Sequence, residues 1–205
     1  TAFTIGILTK PQMIIFLPLL GFWLLYDIIA EWKEARQLSS LKQFLFGLLV
    51  SVAIVVAAAV PIFGLDFGRF FALYKDAAAQ YPYASLNAAN VFGALGLNWA
   101  DTADAFLGIT YQGWGFIGVI LTALAVGLGT FFAQNRSGVL ILGGFLVFGI
   151  YMLAHTMHER YLFPLLLLLM VLYIQTKDKR MLFAFGAGSV LHFVQTGLVL
   201  LDNEG

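Results

Sequence analysis

Apolar runs long enough to cross a bilayer dominate this chain. Stretches with almost no charge cover residues 11 to 30, 42 to 63, 114 to 133, 138 to 155, 161 to 176 and 181 to 201, each near the ~20 residues that span hydrocarbon as a helix. The apolarity is continuous and does not alternate with a period of two, which predicts helices and not an outer-membrane barrel, because a helix satisfies its own backbone inside lipid. The expected fold class is all-α: a polytopic transmembrane bundle with six spans, forming one transmembrane domain over residues 1 to 205. Thr1 to Thr9 has no basic residue ahead of its apolar ones, so it does not resemble a signal peptide and reads as the tail of an earlier helix. The segment 64 to 113 reads as one long loop. Within it Phe67, Phe70, Phe71, Tyr74, Ala77 and Ala78 follow helical spacing, with Arg69, Lys75, Asp76 and Gln80 mostly elsewhere on the wheel. That pattern predicts a helix, either lying in the membrane interface or packed on the bundle. Tyr81-Pro82-Tyr83 should end it, since proline disfavours helix at the residue before it. Ser85 to Asn90 is polar enough to line a cavity, and Val91 to Leu97 suggests a half-buried helical turn.

Composition sharpens this reading. Hydrophobic residues make up 61% and charged residues 11% of the chain, against roughly 25% charged in soluble domains, so a soluble globular protein is excluded. Eleven Lys and Arg balance eleven Asp and Glu, leaving no overall basic surface for a phosphate backbone, and nucleic acid is not an expected partner. A lipid bilayer is. The absence of cysteine excludes disulfides and thiolate metal sites. The cations divide between the connecting segments. Lys33, Arg36, Lys42, Arg136, Lys177, Lys179 and Arg180 fall on one side, and Lys10, Arg69, Lys75 and Arg160 on the other. The positive-inside rule makes the first set cytoplasmic. The Lys10-Pro11-Gln12 turn, the segment 64 to 113 and the His158-Glu159-Arg160 turn then share the exterior face.

Two spans look short. Sixteen residues separate Lys10 from Asp27, and sixteen separate Arg160 from Lys177, about 24 Å of helix against a ~30 Å hydrocarbon core. Snorkelling can absorb part of the mismatch. The sharper reading is that Lys10 and Arg160 line a protein-walled cavity at the outer headgroup level, where a cation meets a lipid phosphate. Arg160 offers a planar fork of donors, His158 adds one when protonated, and Glu159 can orient either. The plainer alternative is an interfacial anchor in which Glu159 and Arg160 pair with each other.

Other patterns carry less chemistry. His155 and His158 stand at i, i+3, the spacing of one helix face, but the zinc-protease pattern is absent and no second cluster completes a zinc site. A magnesium or manganese ion held by carboxylates stays compatible with the sequence. Gly113 to Gly118 matches G-x-G-x-x-G, yet it opens an apolar span and not a βαβ unit. Those glycines, with Gly143, Gly144, Gly186 and Gly188, are expected to permit close helix packing. Asp27 is expected to end its helix beside Glu31 and Lys33 in a solvated salt bridge, and His192 to be a satisfied core histidine.

Three stretches carry a family resemblance: Leu8-Thr9-Lys10-Pro11-Gln12 leading into a span, Tyr81-Pro82-Tyr83-Ala84-Ser85-Leu86-Asn87-Ala88-Ala89-Asn90 in the long loop, and His158-Glu159-Arg160-Tyr161-Leu162-Phe163-Pro164. In order and spacing they resemble the polytopic GT-C glycosyltransferases, especially bacterial relatives of the dolichyl-phosphate-sugar mannosyl- and glucosyltransferases. The resemblance covers about residues 1 to 175. It implies transfer of a hexose, with inversion, from a polyprenyl-phosphate donor to an acceptor hydroxyl on a glycan, lipid or protein, at the extracytoplasmic face of a bacterial inner membrane. Lys10, His158 and Arg160 would then bind the donor phosphate. Gln12 and Asn87 would hydrogen-bond sugar or phosphate, Tyr81 and Tyr83 would present aromatic faces, and Glu159 would orient Arg160.

Such enzymes carry an acidic catalytic residue in the first exterior loop. The exterior acids here, Asp66, Asp76, Asp101, Asp104, Glu159, Asp202 and Glu204, do not reproduce that motif. The chain is therefore expected to be the C-terminal portion of a longer enzyme, with its general base upstream. Two other classes fit parts of the pattern. A transporter or flippase of a lipid-linked sugar would also need a one-sided cationic cavity, but would favour inverted repeats, and none is evident. A non-catalytic assembly subunit would use the exterior cations as anchors.

Overall fold

A backbone in hydrocarbon has no water to bond, so an apolar segment must close its hydrogen bonds on itself. The apolar runs of this chain accordingly form helices in the computed structural model, which describes residues 1–133 and 135–202. Two compact units result, Thr1–Tyr81 and the chain from Pro82 onward. The boundary falls within the segment read as one loop, so residues 64 to 81 belong to the first unit and 82 to 113 to the second.

The first unit holds α1 (Ala2–Thr9), a 3-10 helix (Pro11–Phe16) continuing into α2 (Leu17–Ala35), α3 (Ser39–Phe63) and α4 (Phe67–Ala79). Lys10 is extended, and Pro11, which has no N–H to lose, opens the 3-10 helix. Asp27 does not end its helix, because α2 runs on for two turns to Ala35. The helical stretch from Pro11 to Ala35 therefore has 25 residues, and the shortfall expected at Lys10 is absent. A single carboxylate does not stop a helix whose neighbours Ile28, Ile29 and Trp32 keep it apolar. Glu31 also departs from the expected salt bridge. Its carboxylate accepts from the Ser40 backbone N–H at 2.9 Å and from the Ser40 hydroxyl at 2.7 Å, holding the first turn of α3. The Thr4 hydroxyl donates to Ser51 at 2.7 Å, tying α1 to α3. The amphipathic helix expected in the long loop is α4. Asp66 caps it through the Arg69 N–H at 2.9 Å, and it ends ahead of Tyr81-Pro82. Phe70, buried, lies edge-on to Phe63 at 5.7 Å, while Phe71 stays 65% exposed.

The second unit contains β1 (Ser85–Leu86), α5 (Val91–Ala94), β2 (Ala105–Phe106), β3 (Ile109–Thr110), α6 (Tyr111–Thr130), α7 (Arg136–Leu153), β4 (Met157–His158), a 3-10 turn (Glu159–Leu162), α8 (Phe163–Thr176) and α9 (Lys179–Asp202). Strands β2 and β3 form a hairpin whose two turn residues, Leu107 and Gly108, both have positive φ, as a tight right-twisted hairpin requires. Helix α6 packs on α7, α7 on α8, and α8 on α9. Short links reverse the chain after α6 and after α8, so segments 82–110 and 154–162 meet at one end of this unit. Counted with the 3-10 turn that leads into it, the stretch Glu159–Thr176 has 18 residues, about 27 Å, so it is shorter than Pro11–Ala35 but close to the hydrocarbon thickness.

Glycine sets the closest approach of α6 and α7. A Cβ on Gly118 would lie 2.5 Å from Leu153 Cβ and 2.8 Å from its carbonyl, and one on Gly149 would lie 2.6 Å from Thr122 Cγ2. The G-x-G-x-x-G letters are thus packing positions at Gly118 and at Gly115, which touches His155. Gly186 departs from expectation, because nothing lies within 4 Å of its would-be Cβ.

Five helical stretches among the described residues are long and apolar enough to cross a membrane, and Ser137–Leu153 is a shorter apolar one. Large apolar side chains cover the outer surfaces, among them Phe132, Phe183 and Phe193, an exposure that water would penalise and lipid does not. The chain is an all-α, polytopic integral membrane protein. Gly118→Ala should destabilise it by about 1–3 kcal/mol through overpacking and lower its melting temperature in detergent. Gly186→Ala should leave that temperature unchanged or raise it slightly.

Candidate functional site

At the shared end of the second unit, Ser85 and Leu86 run parallel to Met157 and His158, with Leu86 opposite His158. Asn87 also bridges to His158, Ser85 to Asn98, and Tyr83 to Asp101. The polar loop and the histidine-arginine turn, about seventy residues apart in the chain, thus form one hydrogen-bonded structure. Thr156 reinforces it, its N–H and hydroxyl both donating to the Tyr83 carbonyl at 3.1 Å. Asn87, Trp99 and Thr156 all have left-handed backbones, with φ of 59°, 63° and 57°. Non-glycine residues hold that conformation only where their surroundings over-determine it.

Two spans fasten this loop. The Tyr151 hydroxyl, near the end of α7, accepts the Ala89 N–H at 3.0 Å. The Gln195 amide, on α9, donates to the Asn87 carbonyl at 3.0 Å, and the Tyr151 and Gln195 side chains bond each other at 2.9–3.0 Å. Asn90 is buried, capping α5 through the Gly93 N–H at 2.9 Å and donating to the Ala154 carbonyl at 3.4 Å. Gly93 must be glycine, since a Cβ there would strike the Ala88 carbonyl. Non-helical backbone at span level is thereby satisfied by side chains, as burial demands.

Beside this loop lies a cavity of about 980 Å³ walled by α5, α7 and α9. Asn87, Asn98, Tyr151 and Gln195 supply its polar groups, and residues such as Phe148, Met152, Val194 and Leu198 its apolar walls. Leu162, on the same 3-10 turn as Arg160, also lines it. The Asn87 Oδ1 accepts from Trp99 Nε1 at 3.1 Å.

In the second unit Asn87, His158, Glu159 and Arg160 are gathered at one end, with Arg160 exposed and His158 and Glu159 half-buried. Tyr83 is half-buried, its ring edge-on to Trp99 at 5.2 Å. In the first unit Lys10 and Tyr81 are exposed and Gln12 is half-buried. Glu159 and Arg160 form no ion pair with each other, so the anchor pair is absent from this structure, whereas Asp178 pairs with Arg180 at 2.7 Å. Adjacent residues in a 3-10 turn project about 120° apart, out of mutual reach. His155 and His158 do not share a helix face, because α7 stops at Leu153. Among the described residues no three His, Asp or Glu side chains cluster as metal ligands. His192 is not the satisfied core residue expected. It is half-buried, its ring 6.0 Å from Phe163, and its Nδ1 has no hydrogen-bond partner. Glu204 lies outside the described residues.

Tyr151, Gln195, Asn98 and Trp99 do not stand out in the sequence. A lone glutamine in an apolar span was the available signal, since intramembrane polar groups are expensive unless used.

Burial pulls the His155 imidazole below its ordinary value. His158 is lowered by burial and then by the Arg160 charge, against the opposing pull of Glu159. Below about pH 6.5 the unfolded chain takes up protons that the folded chain resists, so stability falls as the pH drops from there toward the depressed values. The melting temperature in detergent should therefore decline on acidification from about pH 7.5 to 5.5, and His155→Asn should flatten that decline. Tyr151→Phe should cost about 1–3 kcal/mol by stranding the Ala89 N–H and the Gln195 side chain, and should speed hydrogen exchange at Ala89.

No family model, curated protein or solved structure matches this chain.

Proposed function

We propose that the chain is part of a membrane glycosyltransferase that moves a hexose from a polyprenyl-phosphate donor to an acceptor hydroxyl at the extracytoplasmic face, with inversion. The observation carrying this reading is the pairing of Leu86 and Asn87 with His158. It joins two of the three stretches that resemble the GT-C enzymes and sets them beside a cavity.

In the proposed reaction the acceptor oxygen forms a bond to the anomeric carbon as the carbon–oxygen bond to the donor phosphate breaks. The acceptor proton passes to a general base. Negative charge grows on the departing phosphate, and donors aimed at it lower the barrier. Arg160 suits that role, being exposed at the mouth of α8 and outside any ion pair among the described residues. Burial and the Arg160 charge lower the proton affinity of His158, so the donor's phosphodiester monoanion, gaining a second negative charge as the sugar leaves, would raise it and recruit His158 as a second donor. Lys10 and Gln12, in the first unit, keep their proposed roles as phosphate and sugar ligands, and Tyr81, Tyr83 and Asn87 theirs as sugar contacts. A bacterial inner membrane is the proposed location, and a divalent cation held by the donor phosphate is compatible with the scheme.

With the full polypeptide in detergent and a radiolabelled polyprenyl-phosphate hexose, Arg160→Ala should lower turnover roughly 100-fold without changing the melting temperature. Arg136→Ala should leave turnover unchanged. Near-normal turnover in Arg160→Ala would defeat the assignment. Donor affinity should strengthen as the pH falls toward 6, and His158→Gln should abolish that trend.

A further inference from the structure

Among the described residues, the cavity between α5, α7 and α9 is lined by no ionisable side chain other than the Tyr151 phenol. One end is all carboxamide and hydroxyl, from Asn87, Asn98, Tyr151 and Gln195, while the α9 wall is aliphatic, from Leu191, Val194, Leu198 and Val199. Its volume of about 980 Å³ is at the upper end for small-ligand sites, roughly 300–1,000 Å³. Part of its polar capacity is unspent. The Asn98 carboxamide makes no hydrogen bond among the described residues, and the Asn87 Nδ2 is not used in the Trp99 bond. The site is also pre-formed, because the Tyr151–Gln195 pair fastens Asn87 and Ala89.

We propose that this cavity binds a neutral, hydroxyl-bearing lipid, its chain along the α9 wall and its uncharged head on Asn87 and Asn98. The charge pattern selects the occupant. An ionised head desolvated here would find no counter-charge among the described lining residues, a large penalty, whereas a hydroxyl finds carboxamides able both to donate and to accept. Arg160 belongs to the same 3-10 turn as the lining residue Leu162 but does not line the cavity. An uncharged hydroxyl and an anionic phosphate thus have separate places around one turn. The role of this lipid as sugar acceptor rests on the glycosyl-transfer reading; its binding does not.

Photolabelling tests the assignment. The full polypeptide in nanodiscs is exposed to monooleoylglycerol bearing a chain diazirine, or to oleoyl lysophosphatidic acid bearing the same group. The glycerol probe should label Met152 or Leu198 saturably, about tenfold more than the phosphate probe. Leu198→Trp, at a position 61% exposed, should fill the groove and suppress labelling while leaving the melting temperature unchanged. Val194→Trp should do the same if that variant fails to fold. Asn98→Leu should erase the preference for the neutral head. Equal labelling by both probes, or labelling that survives the tryptophan variants, overturns the proposal. Normal turnover in Arg160→Ala with labelling intact would defeat the transferase reading alone. Lost turnover in Arg160→Ala with no labelling of the cavity would defeat the lipid site alone.

Discussion

The second unit depends on one requirement: backbone groups of a non-helical loop, set against membrane helices, must find hydrogen-bond partners where water is scarce. Three contacts meet it. Strand pairing joins Ser85 and Leu86 to Met157 and His158, the Tyr151 hydroxyl takes the Ala89 N–H, and the Gln195 amide takes the Asn87 carbonyl. Because Tyr151 and Gln195 also bond each other, the loop, α7 and α9 form one network. Removing any member strands a polar group, which weighs more than the net worth of a single bond.

Packing follows from the same scarcity. Helices in lipid gain little from burying apolar surface against each other, so close approach must supply the cohesion. Glycines at positions 115, 118 and 149 let α6 and α7 come near enough for van der Waals contact along their length. That contact places Leu153 and His155 where the chain turns into β4. The carbonyl of Ala154 is then within reach of the Asn90 amide. Helix packing and loop geometry are therefore coupled, and the positive φ angles of Asn87, Trp99 and Thr156 mark where the backbone accommodates both.

Chemistry is partitioned around this frame. Charge is confined to the rim, on His158, Glu159 and Arg160, while the cavity wall is uncharged and amphipathic. Burial and the neighbouring Arg160 hold the His158 imidazole below its ordinary value, so the rim presents the Arg160 guanidinium, the Glu159 side chain and one titratable donor.

Continuous apolarity by itself determined the helical class and the position of each span to within a few residues, since lipid leaves the backbone no other way to bond itself. Helical spacing likewise revealed α4, and proline its end. The end of α2 was not legible, because charge at Asp27 marks solvent access only if the helix stops there, and Ile28, Ile29 and Trp32 carry it to Ala35. Nor was the contact between Asn87 and His158, or the part played by Tyr151 and Gln195. Local pattern encodes how a segment meets its solvent. Which distant segments share hydrogen bonds is set by how closely the helices pack, and only the tertiary structure decides that.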